Sequence, residues 1–194
     1  MTSGVQGKQK CAFCHIIRQM GGIAMLEEIL NRRSCRDFDP NHQVEDEKLS
    51  QIIQAGLLAP TGVNRQGTEI IVIQDKKVRD ELSALNGSIM GTPNDPFYGA
   101  PTVCLVIARK SALAKLDGGA CIENMLLEAT HQGVNSCWIH RGEEEIASEE
   151  GRRILSSTGI DFEEYIGIGH VILGYSLGAK PKEKAIREGR VHKI

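Results

Sequence analysis

Asn31-Arg32-Arg33-Ser34-Cys35-Arg36-Asp37-Phe38 places three guanidinium groups and a hydroxyl within five positions. Arginine stays charged and can grip a phosphate through two parallel N–H bonds, so this cluster suits a phosphate site. It serves equally as a solvated basic end to a helix. The apolar stretch from Ile23 to Leu30 precedes it, and cations complement the negative end of a helix dipole. Spacing alone leaves both readings open. A second stretch, Ala59-Pro60-Thr61-Gly62-Val63-Asn64-Arg65-Gln66-Gly67, is dense in small and amide side chains, and its proline and glycines make it a loop. A third is the tail, with Lys180, Lys182, Lys184, Arg187, Arg190 and Lys193 against Glu183 and Glu188. Such a tail is a solvated end or a source of cations for an anion.

Cys11-Ala12-Phe13-Cys14-His15 has the spacing that attaches c-type haem. That attachment needs export, and no export signal is visible. No second ligand pair stands at zinc spacing. The pattern is read as a chance match in an N-terminal extension, residues 1–24, with the functional domain over 25–194.

These groups must be positioned by a domain with its own core, and 194 residues suffice for one. Met25 to Asn31 reads as a helix end, with Leu26, Ile29 and Leu30 on one face. A helix follows from about Glu45 to Leu58, with Leu49, Ile52, Ile53 and Leu57 at helical spacing. Glu69 to Gln74 is a buried strand, and Asp75 caps a helix reaching about Asn86. Gly87 to Gly99 is read as a long connection. Pro101 to Ala108 is a second strand, and Asp117 to Gln132 a helix apolar on several faces, as at a subunit interface. Asn135 to Ile139 is a third strand. Glu143 opens an acidic, solvated helix closing near Gly159. Tyr165 to Gly174 is a fourth strand, whose Gly167 and Gly169 share a face and admit a close backbone or ring. Strands separated by helices indicate an α/β layered domain.

The net charge of −2 gives no general pull on nucleic acid, and no apolar run is long enough for a membrane span. The protein is read as cytoplasmic, its six cysteines reduced, with Cys104, Cys121 and Cys137 in the core. No glycine fingerprint for a dinucleotide, no Walker loop, no nucleophile elbow and no zinc helix appear. The chain lacks an evident catalytic dyad. That silence fits an enzyme whose reactive atoms belong to a cofactor.

Taken in order, four stretches resemble the nitroreductase family of flavoenzymes. Arg32 to Phe38 is similar to its Arg-Arg-Ser-x-Arg-x-Phe opening, and Ala59 to Gln66 to its Ala-Pro-Ser-x-x-Asn-x-Gln loop. Asp117 to Ile139 resembles its central helix and next strand, and Gly169 to Lys184 its closing strand and basic end. Thr61 replaces serine, and Gly67-Thr68 replaces the Pro-Trp usual after the loop glutamine. The resemblance implies an α+β fold, with a central, mostly antiparallel sheet of four to five strands flanked by helices, in an intertwined homodimer. It implies FMN as cofactor, and ping-pong reduction by NADH or NADPH of an electron-poor acceptor such as a nitroaromatic, quinone or enone. Dehalogenation, flavin fragmentation and non-catalytic flavin binding are the alternatives. By position, Arg32 and Lys184, helped by Lys182, would hold the phosphate. Arg33 and Ser34 would meet the ribityl chain and pyrimidine edge, and Arg36 the N1–C2=O edge. Pro60, Thr61, Gly62, Asn64 and Gln66 would come from the partner chain. The segment Trp138-Ile139-His140-Arg141 would cover the other ring face, with Ile139, His140 and Arg141 as its site residues and a backbone N–H near N5.

Overall fold

The structure is a computed structural model, and it describes residues 25–179 and 184–194. Lys182 and the Cys11/Cys14/His15 pattern lie outside the described residues. The centre is a four-stranded sheet, every pairing antiparallel, built from β1 (Thr68–Ile73), β2 (Thr102–Arg109), β3 (Asn135–Ile139) and β4 (Tyr165–Gly174) in the order β1-β2-β4-β3. This is the α+β architecture, with four strands of the four to five expected.

Helices cover both faces. On one side α2 (Asp46–Leu57) packs on α4 (Ala114–His131), which lies against the sheet. On the other stand α3 (Lys76–Met90), α5 (Gly142–Ala147) and α6 (Glu149–Ile154). A short α1 (Glu27–Asn31) leans on α4. The central strand β2 shows why both faces are needed. Val103, Leu105 and Ile107 enter one apolar cluster while Cys104, Val106 and Ala108 enter the other. A strand buried on both sides reads as an unbroken apolar run rather than an alternation.

Three expectations need correction. The helix after Asp75 does not stop near Asn86 but continues to Met90, and Gly91 ends it with φ +71. Gly87 is tolerated inside because the returning chain packs there, with the Thr92 carbonyl oxygen 3.0 Å from where a Cβ would sit. The connection before β2 is correspondingly shorter. The acidic helix is two helices, divided at Ser148, whose hydroxyl accepts the Gly151 N–H (3.0 Å) as an N-cap. Its Glu145 is not solvated but fully buried.

Gly167 and Gly169 do not share a face. The β2–β4 register shifts at Val106/Ile107, so Gly169 opposes Val106 and Gly167 opposes Ile107, leaving Ile168 as the extra residue of a bulge. Ile166, Ile168 and Val171 therefore join the same cluster, which strict alternation forbids. A Cβ on Gly167 would overlap the carbonyl oxygen of Gly142; one on Gly169 would overlap the Trp138 indole. So a backbone does approach one glycine and a ring the other. Gly167→Ala is expected to destabilise the fold by about 1–3 kcal/mol through overpacking, read as a lower denaturant midpoint at unchanged slope.

Candidate functional site

The arginine segment leaves α1 and runs along the sheet edge formed by β3 and the end of β4. Ser34 bridges Ser136 and Phe38 bridges Ser176. Between them the Cys35 N–H donates to Ser136 O (3.0 Å), and the Leu177 N–H donates to Asp37 O (2.9 Å). Phe38 anchors the far end in the core at 2% exposure. The Asp37 carboxylate closes the connection. It accepts from Ser176 Oγ (3.0 Å), from the Ala179 N–H (2.7 Å) and from the Cys35 thiol (3.2 Å). Those donors, the Ala179 N–H foremost, hold its carboxyl below the usual range. The arginines and the start of the C-terminal segment are thus fastened side by side.

The four predicted residues of this segment meet different fates. Arg32 caps α1, its N–H bonded to Glu28 O, and Arg33 turns its guanidinium back to Leu30 O (2.8 Å) and Arg32 O (2.7 Å). Arg33 therefore finishes α1 by satisfying its last carbonyls. Ser34 and the charges of Arg36 and Arg32 act on the Cys137 thiol of β3, against the burial that raises its pKa overall. Among the described residues neither Arg32 nor Arg36 has a carboxylate partner, and Arg36 is exposed. Two guanidinium charges without a counter-ion, close to one thiol, make an electropositive corner. Lys184 is exposed, five residues beyond Ala179 in the chain.

The loop before β1 is strained and outward-facing. Val63, Asn64 and Gln66 all have positive φ, at 50°, 54° and 50°. For a β-branched residue such a value is an outlier, and each such residue costs roughly 1–3 kcal/mol. The strain is fixed locally. The Gly62 N–H donates to Asp117 Oδ1 (3.0 Å) in the first turn of α4, the Gln66 N–H to Thr61 Oγ1 (3.0 Å), and the Gln66 side chain to Asn64 Oδ1 (3.1 Å). Gly62 lies against Leu113, where a Cβ would overlap its methyl. Pro60, Asn64 and Gln66 are exposed, and Val63 is 83% exposed.

At the other end of β3, Ile139 is buried and opposes His170, while His140 is exposed. Arg141 turns the chain with φ 84° into α5, and its guanidinium reaches Glu144 (3.3 Å). The structure brings Ser34 to β3, which ends in Ile139; loop 60–66 stands instead at the start of α4. Two surface hollows, of about 390 and 420 Å³, flank the Arg79–Asp95 ion pair and are lined by none of the predicted site residues. The reading of the sequence missed Asp37, although it lay inside the singled-out motif, and Asn86 and Glu145, which underlie the His140 turn. No helix among the described residues is long and apolar enough to cross a membrane.

A surface pair pins α1 to α4. Glu28 Oε1 lies 2.8 Å from His131 Nδ1. The Glu28 contact, then the charge of Glu128, raise the His131 pKa above its ordinary 6.5, while the same contact lowers that of Glu28. The folded chain thus holds this proton more tightly than the unfolded chain. The tie is fully present between the ordinary glutamate and histidine values; it is lost as pH rises through the raised histidine value and as pH falls through the lowered Glu28 one. A ring-proton titration by NMR should give His131 a pKa above 6.5, returning toward that value in Glu28→Gln.

With this geometry in view, the likenesses to known proteins take on meaning. The pattern described as "Nitroreductase family" matches residues 29–94, which hold both the arginine segment and the strained loop. A nitroreductase of Bacteroides fragilis, solved with bound FMN, superposes with a TM-score of 0.79 at 30% identity, over 87% of this chain and 97% of that one. One from Desulfitobacterium hafniense, also solved with bound FMN, gives 0.72 at 28% identity over 87% and 97%. A provisionally named NADH dehydrogenase/NAD(P)H nitroreductase of Archaeoglobus fulgidus is 29% identical over 59% of this chain. The chain spans 66% of that protein, just under two thirds of its length.

Proposed function

The chain belongs to the nitroreductase family, and on that premise we propose that it is an FMN-dependent oxidoreductase. The observation that carries the proposal is that, among the described residues, Arg32 and Arg36 have no carboxylate partner, while Asp37, between them and the exit of β4, ties down Ser176 and Ala179 at the start of the C-terminal segment. This donor set fits a phosphorylated ligand with a ring that gains negative charge on reduction. Arg32 and Lys184, with Lys182, would take the phosphate. Arg36 and Ser34 would face the polar edge of the ring, where a cation favours added electron density. Arg33 keeps its guanidinium on the end of α1, so it contributes by holding Arg32 and Ser34 in place. Ile139, His140 and Arg141 would lie over the ring, their backbone N–H groups toward N5.

When bound, FMN supplies the two-electron chemistry, between NADH or NADPH and an electron-poor acceptor such as a nitroaromatic, quinone or enone. The chain's part is to bind, orient and shield. One open site used in turn by donor and acceptor gives ping-pong kinetics.

A single protomer leaves that site open on one side, and a homodimer closes it. Large apolar groups stand exposed on packed neighbours: Leu26 just before α1 with Ile29 and Leu30 in it, Leu57 and Leu58 at the end of α2, and Leu113 and Leu116 at the start of α4. Val63 of the strained loop joins them, and exposed apolar area of this kind marks a protein interface. Through it the partner would present Pro60, Thr61, Gly62, Asn64 and Gln66 to the ring.

The test is an absorbance spectrum of the purified protein, with size-exclusion chromatography, then anaerobic titration with NADH and with NADPH. A yellow dimer bleached by one of them is expected, with parallel double-reciprocal lines at varied acceptor. A colourless protein that takes up no FMN would refute the proposal. Arg32→Ala combined with Lys184→Ala should stay folded and dimeric but bind FMN at least about a hundredfold more weakly, since charge-assisted contacts contribute roughly 1.5–3 kcal/mol each. Equilibrium dialysis against FMN measures it.

A further inference from the structure

Beneath the turn that follows β3 lies a polar set in an otherwise apolar layer. Asn86 of α3, Glu145 of α5 and His170 of β4 are all fully buried. Asn86 Nδ2 donates to the His140 carbonyl (2.9 Å) and to Glu145 Oε1 (2.5 Å). Glu145 Oε2 lies 2.8 Å from His170 Nε2, but out of line for a hydrogen bond. The His170 ring tilts against Phe97, with centroids 5.1 Å apart.

Stability does not call for this arrangement. Taking polar groups into an apolar layer is costly, and apolar side chains of similar volume often pack there as stably or more so. What the set does touch is the turn from His140 to Gly142. That turn is strained at Arg141, and the Glu145 N–H donates to Arg141 O (3.0 Å). Gly142 closes against Gly167 and Gly169. Arg141 Nε is buried and has no hydrogen-bond partner among the described residues, so the turn holds an unsatisfied donor.

We propose that Asn86, Glu145 and His170 are positioning residues that hold the His140 carbonyl and thereby aim the Arg141 and Gly142 N–H groups at the flavin ring. The inference rests on the FMN reading above. The bulge at Ile168 is part of the device, because it turns His170 onto the face of Leu105 and Ile139, toward Glu145. The polar set therefore links the three elements beneath the turn to the group above it.

Two variants and two kinds of readout test this. Asn86→Ala removes the tie. The triple variant Asn86→Leu/Glu145→Met/His170→Phe replaces the whole set by apolar groups that should pack well. Amide hydrogen exchange at Arg141 and Gly142 is measured on flavin-free protein. The visible spectrum and the single-turnover reduction by NADH or NADPH are measured on protein loaded with FMN. Both variants should fold and bind FMN, exchange those amides faster, show an altered flavin band, and reduce flavin about tenfold to a hundredfold more slowly, as misplacement of a reacting group does. Wild-type exchange, spectrum and reduction in the triple variant would overturn the inference. So would a triple variant that does not fold, since the set would then be there for stability. A wild-type protein that takes up no FMN defeats the functional reading instead, and the exchange measurement still decides whether the set holds the turn.

Discussion

The carboxylate of Asp37 is the constraint on which the candidate site depends. An ionised carboxylate only accepts, and it has room for several donors. Here it receives the Ser176 hydroxyl, the Ala179 N–H and the Cys35 thiol. Two of these come from the chain just past β4, the third from the arginine segment itself. Neither stretch belongs to a regular element; Ser34 bridges β3 at Ser136, and the Phe38–Ser176 bridge joins the two stretches to each other. Backbone bonds already join the two stretches, from the Leu177 N–H to Asp37 O and from the Asp39 N–H to Tyr175 O, and the Asp37 carboxylate extends that tie to Ala179. The two thus share a frame, and Phe38 seats that frame in the core.

A second constraint works at the opposite end of β3. One extra residue in β4 changes which side chains face which layer. It separates Gly167 from Gly169, so that the first admits the Gly142 backbone and the second the Trp138 ring. It also turns His170 inward. Gly142 can then close on the sheet, and α5 starts immediately after the strained Arg141. The bulge and the two glycines thus shape one turn, and that turn emerges on the side where β3 ends.

The sheet was legible because its strands are extreme cases. β1, β2 and β4 run over Thr68–Ile73, Thr102–Arg109 and Tyr165–Gly174, stretches marked by their β-branched and apolar content. The error at Gly87 has a tertiary cause. Glycine reads as a breaker, yet the chain at Thr92 and Asn94 needs the space its missing side chain leaves. Glu145 was hidden for another reason. It stands third in Glu143-Glu144-Glu145, and periodicity marks apolar positions, not a carboxylate matched by an amide 59 positions away. The division of the acidic helix was readable, since Ser148 before Glu149 and Glu150 is a helix start. The motifs of the site were visible as residues, but which of their side chains are free was not. Arg33 looked like a third ligand and is engaged with the carbonyls that end α1.

Backbone strain in this chain is concentrated rather than scattered. Among the described residues the non-glycine positions with positive φ are Val63, Asn64, Gln66, Tyr98 and Arg141. Tyr98 lies in the turn whose carbonyl receives the Phe38 N–H, so it belongs to the seating of the arginine segment. The remaining four fall in the two stretches proposed to face the ring. Folding alone does not favour such conformations, which persist only where neighbours over-determine them. Each has that support: Asp117 and Thr61 at the loop, Asn86 and Gly167 at the turn. The rigidity of the sheet is thus carried outward to exposed backbone. A flat aromatic ligand held between two such surfaces would meet groups already in place, so little ordering would remain to be done on binding.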